Sequence, residues 1–86
     1  MDSTMITHKP ESPRWLTIKA AGAIRATCPT IDGAKAESLA YEHAKQPTRE
    51  SYLAILGYLC DHVSAIPVEL RRAFIWNAAL SVPAPR

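Results

Sequence analysis

The residues with the chemistry to bind a metal or to act as a nucleophile are Cys28, His43, Cys60, Asp61 and His62. A structural zinc site needs four converging ligands, normally supplied as closely spaced pairs. Cys60 and His62 are two positions apart, and on a helix two positions turn the side chain through about 200°, so they face away from each other. Cys28 and His43 stand alone in their segments. No elbow, glycine-rich oxyanion loop or orienting third group accompanies a Cys–His pair. The chain's three glycines form neither GxGxxG nor GxxxxGK[ST], so no phosphate-cradling loop is present. Glu37, Glu42, Glu50 and Asp61 read as solvated helix faces rather than as an acid–base pair. The pattern points to a protein that is not an enzyme and carries no metal or cofactor. The two cysteines read as small buried hydrophobes, and His43 and His62 as partly exposed helix residues.

The remaining chemistry is that of binding. Phe74, Ile75 and Trp76 are consecutive and cannot all face one core. On a helical wheel Leu70, Phe74, Asn77 and Ala78 cluster, whereas Trp76 falls with Arg72, Ala73, Ala79 and Leu80. Arg72 lies four residues before Trp76, so its guanidinium can lie against the indole. Tryptophan and arginine are the types most enriched at interface hot spots. Arg71, Arg72, Trp76 and Leu80 are therefore candidate partner-binding residues; the competing reading has Trp76 plugging the core. A second candidate lies near the N-terminus. Trp15, Ile18 and Gly22 lie away from the Leu16 face, with Arg14 and Arg25 beside them. A basic rim around an exposed tryptophan suits an acidic protein patch or a nucleic-acid backbone. The competing reading is a second packing face with Gly22 permitting close helix contact.

Prolines divide the elements that position these residues. Pro13, Pro29, Pro47 and Pro67 separate four apolar-periodic runs. The first is expected as a helix from about Pro13 to Cys28, with Ser12 as N-cap and Leu16, Ala20, Ala23, Ile24 and Thr27 on one face. Pro29 ends it. The second runs from about Asp32 to Lys45, with Thr30 or Asp32 as cap and a thin face of Ala36, Leu39, Ala40 and His43. The third starts at Thr48, and its stripe is Tyr52, Ile55, Leu56, Leu59, Cys60 and Val63, ending near Ser64 or Ala65. The fourth runs from about Pro67 to Leu80 or Ser81. The expected fold is all-α: one small domain of about four short helices, arranged as a bundle or an orthogonal array. Residues 1–11 read as a loosely held polar leader, 12–82 as the helical domain and 83–86 as an extended Pro-rich tail.

Composition sets the outer bounds. With 86 residues, 48% apolar and 21% charged, the chain suits one globular domain with a modest core rich in alanine. Net charge is +2, too weak to argue nucleic acid by itself. Both ends are basic and residues 29–63 are net acidic, a polarity that can steer a charged partner. No secretory signal and no run long enough to span a bilayer is visible, so the expected setting is cytoplasmic, with reduced thiols.

The stretch from Leu39 to Leu56 superficially resembles a helix-turn-helix, with Ala40 at the small position of the first helix. The turn Ala44-Lys45-Gln46-Pro47 lacks the expected glycine, and Glu50 stands where a buried aliphatic belongs. The sequence thus points to a small accessory protein that regulates or inhibits a larger macromolecular assembly by docking on its acidic surface. Phage and mobile-element products are often of this kind. The alternatives are a nucleic-acid-binding regulator and a structural homo-oligomer, including a homodimer through the fourth helix.

Overall fold

The computed structural model describes residues 12–83. The leader expected over 1–11 and the tail beyond Pro83 lie outside the described residues. Four helices follow one another: α1 (Pro13–Thr27), α2 (Gly33–Lys45), α3 (Arg49–Asp61) and α4 (Val68–Ser81). The described residues contain no strand. The all-α expectation of four helices in one domain is met.

Local chemistry explains the helix starts. The Ser12 hydroxyl accepts the Trp15 N–H at 3.1 Å, and Pro13 occupies the first turn, where its missing N–H costs nothing. Asp32 caps α2 by accepting the Lys35 N–H at 3.0 Å. Thr48 and Ser51 form a reciprocal capping box, each side chain accepting the other's backbone N–H at 3.0 Å. The Pro67 start of α4 has no side-chain cap. Arg71 instead reaches back to donate to the Ile66 carbonyl at 3.0 Å, securing the turn before the helix.

Contacts along the helices set their directions. Arg25 at the end of α1 meets α2 near its start, and Arg14 at the start of α1 donates to the Ala44 carbonyl near the end of α2, so the two run antiparallel. The Tyr58 hydroxyl near the end of α3 donates to the Asp32 carbonyl at 2.7 Å, while Ser51 at the start of α3 meets His43 near the end of α2. Those two are antiparallel as well, an αα-hairpin. The end of α4 lies beside the start of α3, so α4 returns antiparallel. α1 and α3 sit on opposite corners, whereas α2 and α4 touch across the middle.

The core is centred on Ile24, Ile55 and Phe74, all fully buried, with Ala21, Ala36, Ala40 and Ala78 filling the helix crossings. Alanines let helices come close and raise packing density where large side chains are few. Two expected faces are displaced. In α1 the buried stripe is Thr17, Ala20, Ala21 and Ile24, while Thr27 is exposed and Leu16 and Ala23 are half-buried. Thr17 belongs in the core because its hydroxyl donates to the Pro13 carbonyl at 2.7 Å and presents a methyl group inward. In α3 the buried residues are Ile55, Tyr58 and Leu59, and Cys60 is exposed. Tyr58 takes the inner position because the Asp32 carbonyl receives its hydroxyl. The helix ends at Asp61, short of Ser64, which leaves Val63 exposed.

His43, expected to be partly exposed, is fully buried. Close approach of α1 and α2 occurs at Gly33, not at Gly22. A Cβ at Gly33 would lie 2.5 Å from the Arg25 Cα, whereas one at Gly22 would make ordinary contact with Glu37 at 3.5 Å.

Candidate functional site

The outward face of α4 carries the exposed Trp76 and Leu80 among the sequence candidates. Phe74 and Ala78 point into the core and are fully buried. Trp76 stands about 200° around the helix from Phe74 and is therefore on the far side. It is 66% exposed, and Leu80, one turn later, is 55% exposed. Val68, Arg72 and Ala79 are exposed on the same side. Trp76 is thus not the core plug that the sequence also allowed; Phe74 is. Arg72 makes no stacking contact with Trp76. Tyr58 in α3 and His62 at its end do make a ring contact, tilted by 58° with centroids 4.7 Å apart. Arg71 is half-buried and engaged with Ile66, so it positions the start of α4.

An open groove of about 460 Å³ runs between α3 and α4 beside this face. Arg49, Tyr52, Leu53, Ala79, Val82 and Pro83 line it. Its floor is aliphatic, with one guanidinium and one phenol at the rim. That is the chemistry of a slot for an apolar side chain, not of a reaction centre.

The α1 candidates do not form one patch of the same kind. Trp15 is 47% exposed. Arg14 donates to the Ala44 carbonyl at 3.2 Å, closing the C-terminal end of α2, where a cation suits the helix dipole. Arg25 forms an ion pair with Glu37 across α1 and α2. Both arginines therefore tie α1 to α2 as well as standing near the surface.

A buried polar cluster centred on His43 links three helices. His43 Nε2 lies 2.8 Å from the Ala78 carbonyl, and Nδ1 contacts the Ser51 hydroxyl. A carbonyl only accepts, so Nε2 carries the hydrogen, and in the neutral ring Nδ1 accepts from Ser51. The Val82 N–H, which would complete the helical bond to Ala78, goes to Ala79 instead. His43 thus satisfies a carbonyl that the end of α4 leaves over. With the ring fully buried and both nitrogens engaged, the cluster acts as a clamp. The visible signal was weak: a histidine at the i+3 position of an alanine face.

The pKa of Tyr58 is displaced upward. Burial pushes its phenol above the usual value of 10.0, and the negative charges of Asp32 and Cys28 push the same way. Among the described residues no three His, Cys, Asp or Glu side chains converge on a metal-sized site. Cys28 is buried and Cys60 exposed, and neither is in a disulfide. No described helix is long and apolar enough to cross a membrane.

No protein-family model matches the chain, and neither the curated proteins nor the solved structures contain a significant match.

Proposed function

We propose that this protein is a small accessory factor that acts by protein–protein binding, regulating or inhibiting a larger assembly. The observation that supports this reading is the 66% exposure of Trp76 on the side of α4 opposite the core. Exposing a large indole forgoes burial worth about 2–3 kcal/mol by the area rule. Leu80 extends the apolar strip, and Arg72 supplies a guanidinium for an acidic residue on the partner. The mechanism is steric: the indole fills a pocket on the partner and the domain covers the surface around it.

The test is an affinity capture from the native lysate with wild type and Trp76→Ala side by side, each with and without nuclease. The expected result is a stoichiometric protein partner that survives nuclease and is lost with Trp76→Ala, while the variant's melting temperature is kept. A partner retained by Trp76→Ala removes the α4 reading. Recovery of nucleic acid alone, abolished by nuclease, favours a nucleic-acid-binding regulator instead.

A further inference from the structure

The exposed face of α3 carries a second pattern, independent of Trp76. Arg49, Leu53, Gly57 and Asp61 recur every four residues and form one ridge on the side of the helix away from Ile55. All four are exposed, as are Ala54 and Cys60 beside them. Two features of this ridge have no use within the chain.

The first is Gly57. Glycine inside a helix costs about 1 kcal/mol relative to alanine. At Gly33 that cost has a reason, because Arg25 backbone occupies the space. At Gly57 a Cβ would meet nothing within 4 Å. The second is the charge order. Arg49 is the first residue of α3 and Asp61 the last. A cation at the N-terminus and an anion at the C-terminus both oppose the helix dipole. No ion pair among the described residues relieves either one.

Both features fit a second copy of α3 laid antiparallel on the first. A twofold axis at the level of Ile55 sets Leu53 of each copy opposite Gly57 of the other, a bulky side chain against a bare backbone. The same axis sets Arg49 opposite Asp61, twice. Each charge then faces an opposite charge and the favourable end of the other helix dipole. Two i±4 ridges cross at about 50°, and Arg49 and Asp61 stand only about 9 Å along the helix from the axis, so the ends stay within reach of an arginine. The pattern is self-complementary, as an isologous interface must be.

We propose that α3 is the contact of an antiparallel homodimer, with Leu53 seated on the opposing Gly57 and Arg49 paired with the opposing Asp61. One helix face is a small interface, in the weak class below about 1,200 Å². The register also separates the exposed thiols. Cys60 lies opposite position 50, so the two Cys60 residues are offset by about 15 Å along the axis. That exceeds the roughly 7 Å Cα limit for a disulfide.

Sedimentation velocity from about 10 µM to 1 mM tests this, the range in which small interfaces dissociate. Wild type is expected to shift from monomer to dimer. Gly57→Met is expected to weaken the dimer at least about tenfold by filling the seat of Leu53. Its thermal melt at low concentration should not fall, because among the described residues nothing lies within 4 Å of a Cβ at Gly57. Arg49→Asp and Asp61→Arg should each weaken the dimer, although each improves its own helix's dipole and so preserves folding. The double reversal Arg49→Asp with Asp61→Arg should return to within about threefold of wild type, the signature of direct pairing.

A wild type that stays monomeric at 1 mM overturns the proposal. So does a dimer unaffected by Gly57→Met or by single charge reversal. A dimer abolished by Trp76→Ala assigns self-association to α4, and ready oxidation to a Cys60–Cys60 dimer requires a parallel arrangement; either result also overturns it.

Discussion

Replacing His43 with leucine isolates the polar clamp from the volume it fills. Leucine fills most of the imidazole's space but donates nothing. The Ala78 carbonyl then loses its side-chain donor, and the Val82 N–H that would replace it already serves Ala79. A buried acceptor left without a partner costs about 1–3 kcal/mol. Ser51 does not add to this cost, because its hydroxyl can turn to the Thr48 carbonyl at 3.0 Å. The expected loss for His43→Leu is therefore about 2 kcal/mol, or a fall of roughly 8–16 °C in melting temperature for a domain of this size. His43→Ala should lose about 2–5 kcal/mol, as large-to-small core changes do, because it adds a cavity.

Urea titration followed by circular dichroism measures both variants, and an unchanged m-value confirms that stability alone has moved. A companion Ser51→Ala breaks the capping box as well as the contact to Nδ1, and should cost about 1–2 kcal/mol. The double variant should be less damaging than the sum of His43→Leu and Ser51→Ala, since the two share one contact. Strict additivity, or a His43→Leu midpoint equal to wild type, would falsify the clamp.

Gly33 and Gly57 should respond in opposite directions. Gly33→Ala drives a Cβ to 2.5 Å from the Arg25 backbone and should destabilise by about 1–3 kcal/mol, whereas Gly57→Ala, in open space, should stabilise by up to about 1 kcal/mol; denaturant midpoints at low concentration decide both. Tyr58 should make the fold sensitive to alkali. Its phenol is held neutral by burial and by the charges of Asp32 and Cys28, so its stabilising contribution is complete below its ordinary value of 10.0 and is lost as pH rises through the higher folded value. Melts of wild type and Tyr58→Phe should therefore converge above about pH 10, and a constant offset refutes the assignment. Phe74→Ala should cost about 3–5 kcal/mol and Trp76→Ala less than about 0.5 kcal/mol, a contrast that a single pair of melts resolves.

Much of the fold is legible in the residues because helix starts and stops are local events. Ser12, Asp32 and Thr48 act as N-caps, and Pro13 and Pro29 bracket α1, using interactions between residues at most four apart. Which face of each helix turns inward is less local. Periodicity favoured Leu16 and Cys60 over Thr17 and Tyr58, because hydrophobicity ranks them that way. The fold reverses both choices once the Thr17 hydroxyl is satisfied by Pro13 and the Tyr58 hydroxyl by Asp32. The arginines show the same limit. By type Arg14, Arg25 and Arg71 look like a basic rim, yet each holds a partner within the chain: Ala44, Glu37 and Ile66 respectively.

The candidate site divides along the same line. That Phe74 and Trp76 must face different ways follows from the 100° helical step and needs no structure. Which of them is inside depends on the neighbours of α4: α1, and to a smaller extent α3, pack against it, and Phe74 is buried while Trp76 stays in solvent. The sequence by itself determined the helices, their caps and the absence of any recognisable catalytic motif, because these rest on short-range hydrogen bonds and residue identity. The tertiary structure alone decided that His43 closes the end of α4 across 35 residues, and that Gly33 is crowded while Gly57 is open. Those facts depend on which backbone comes near which, and no local pattern of side chains carries that information.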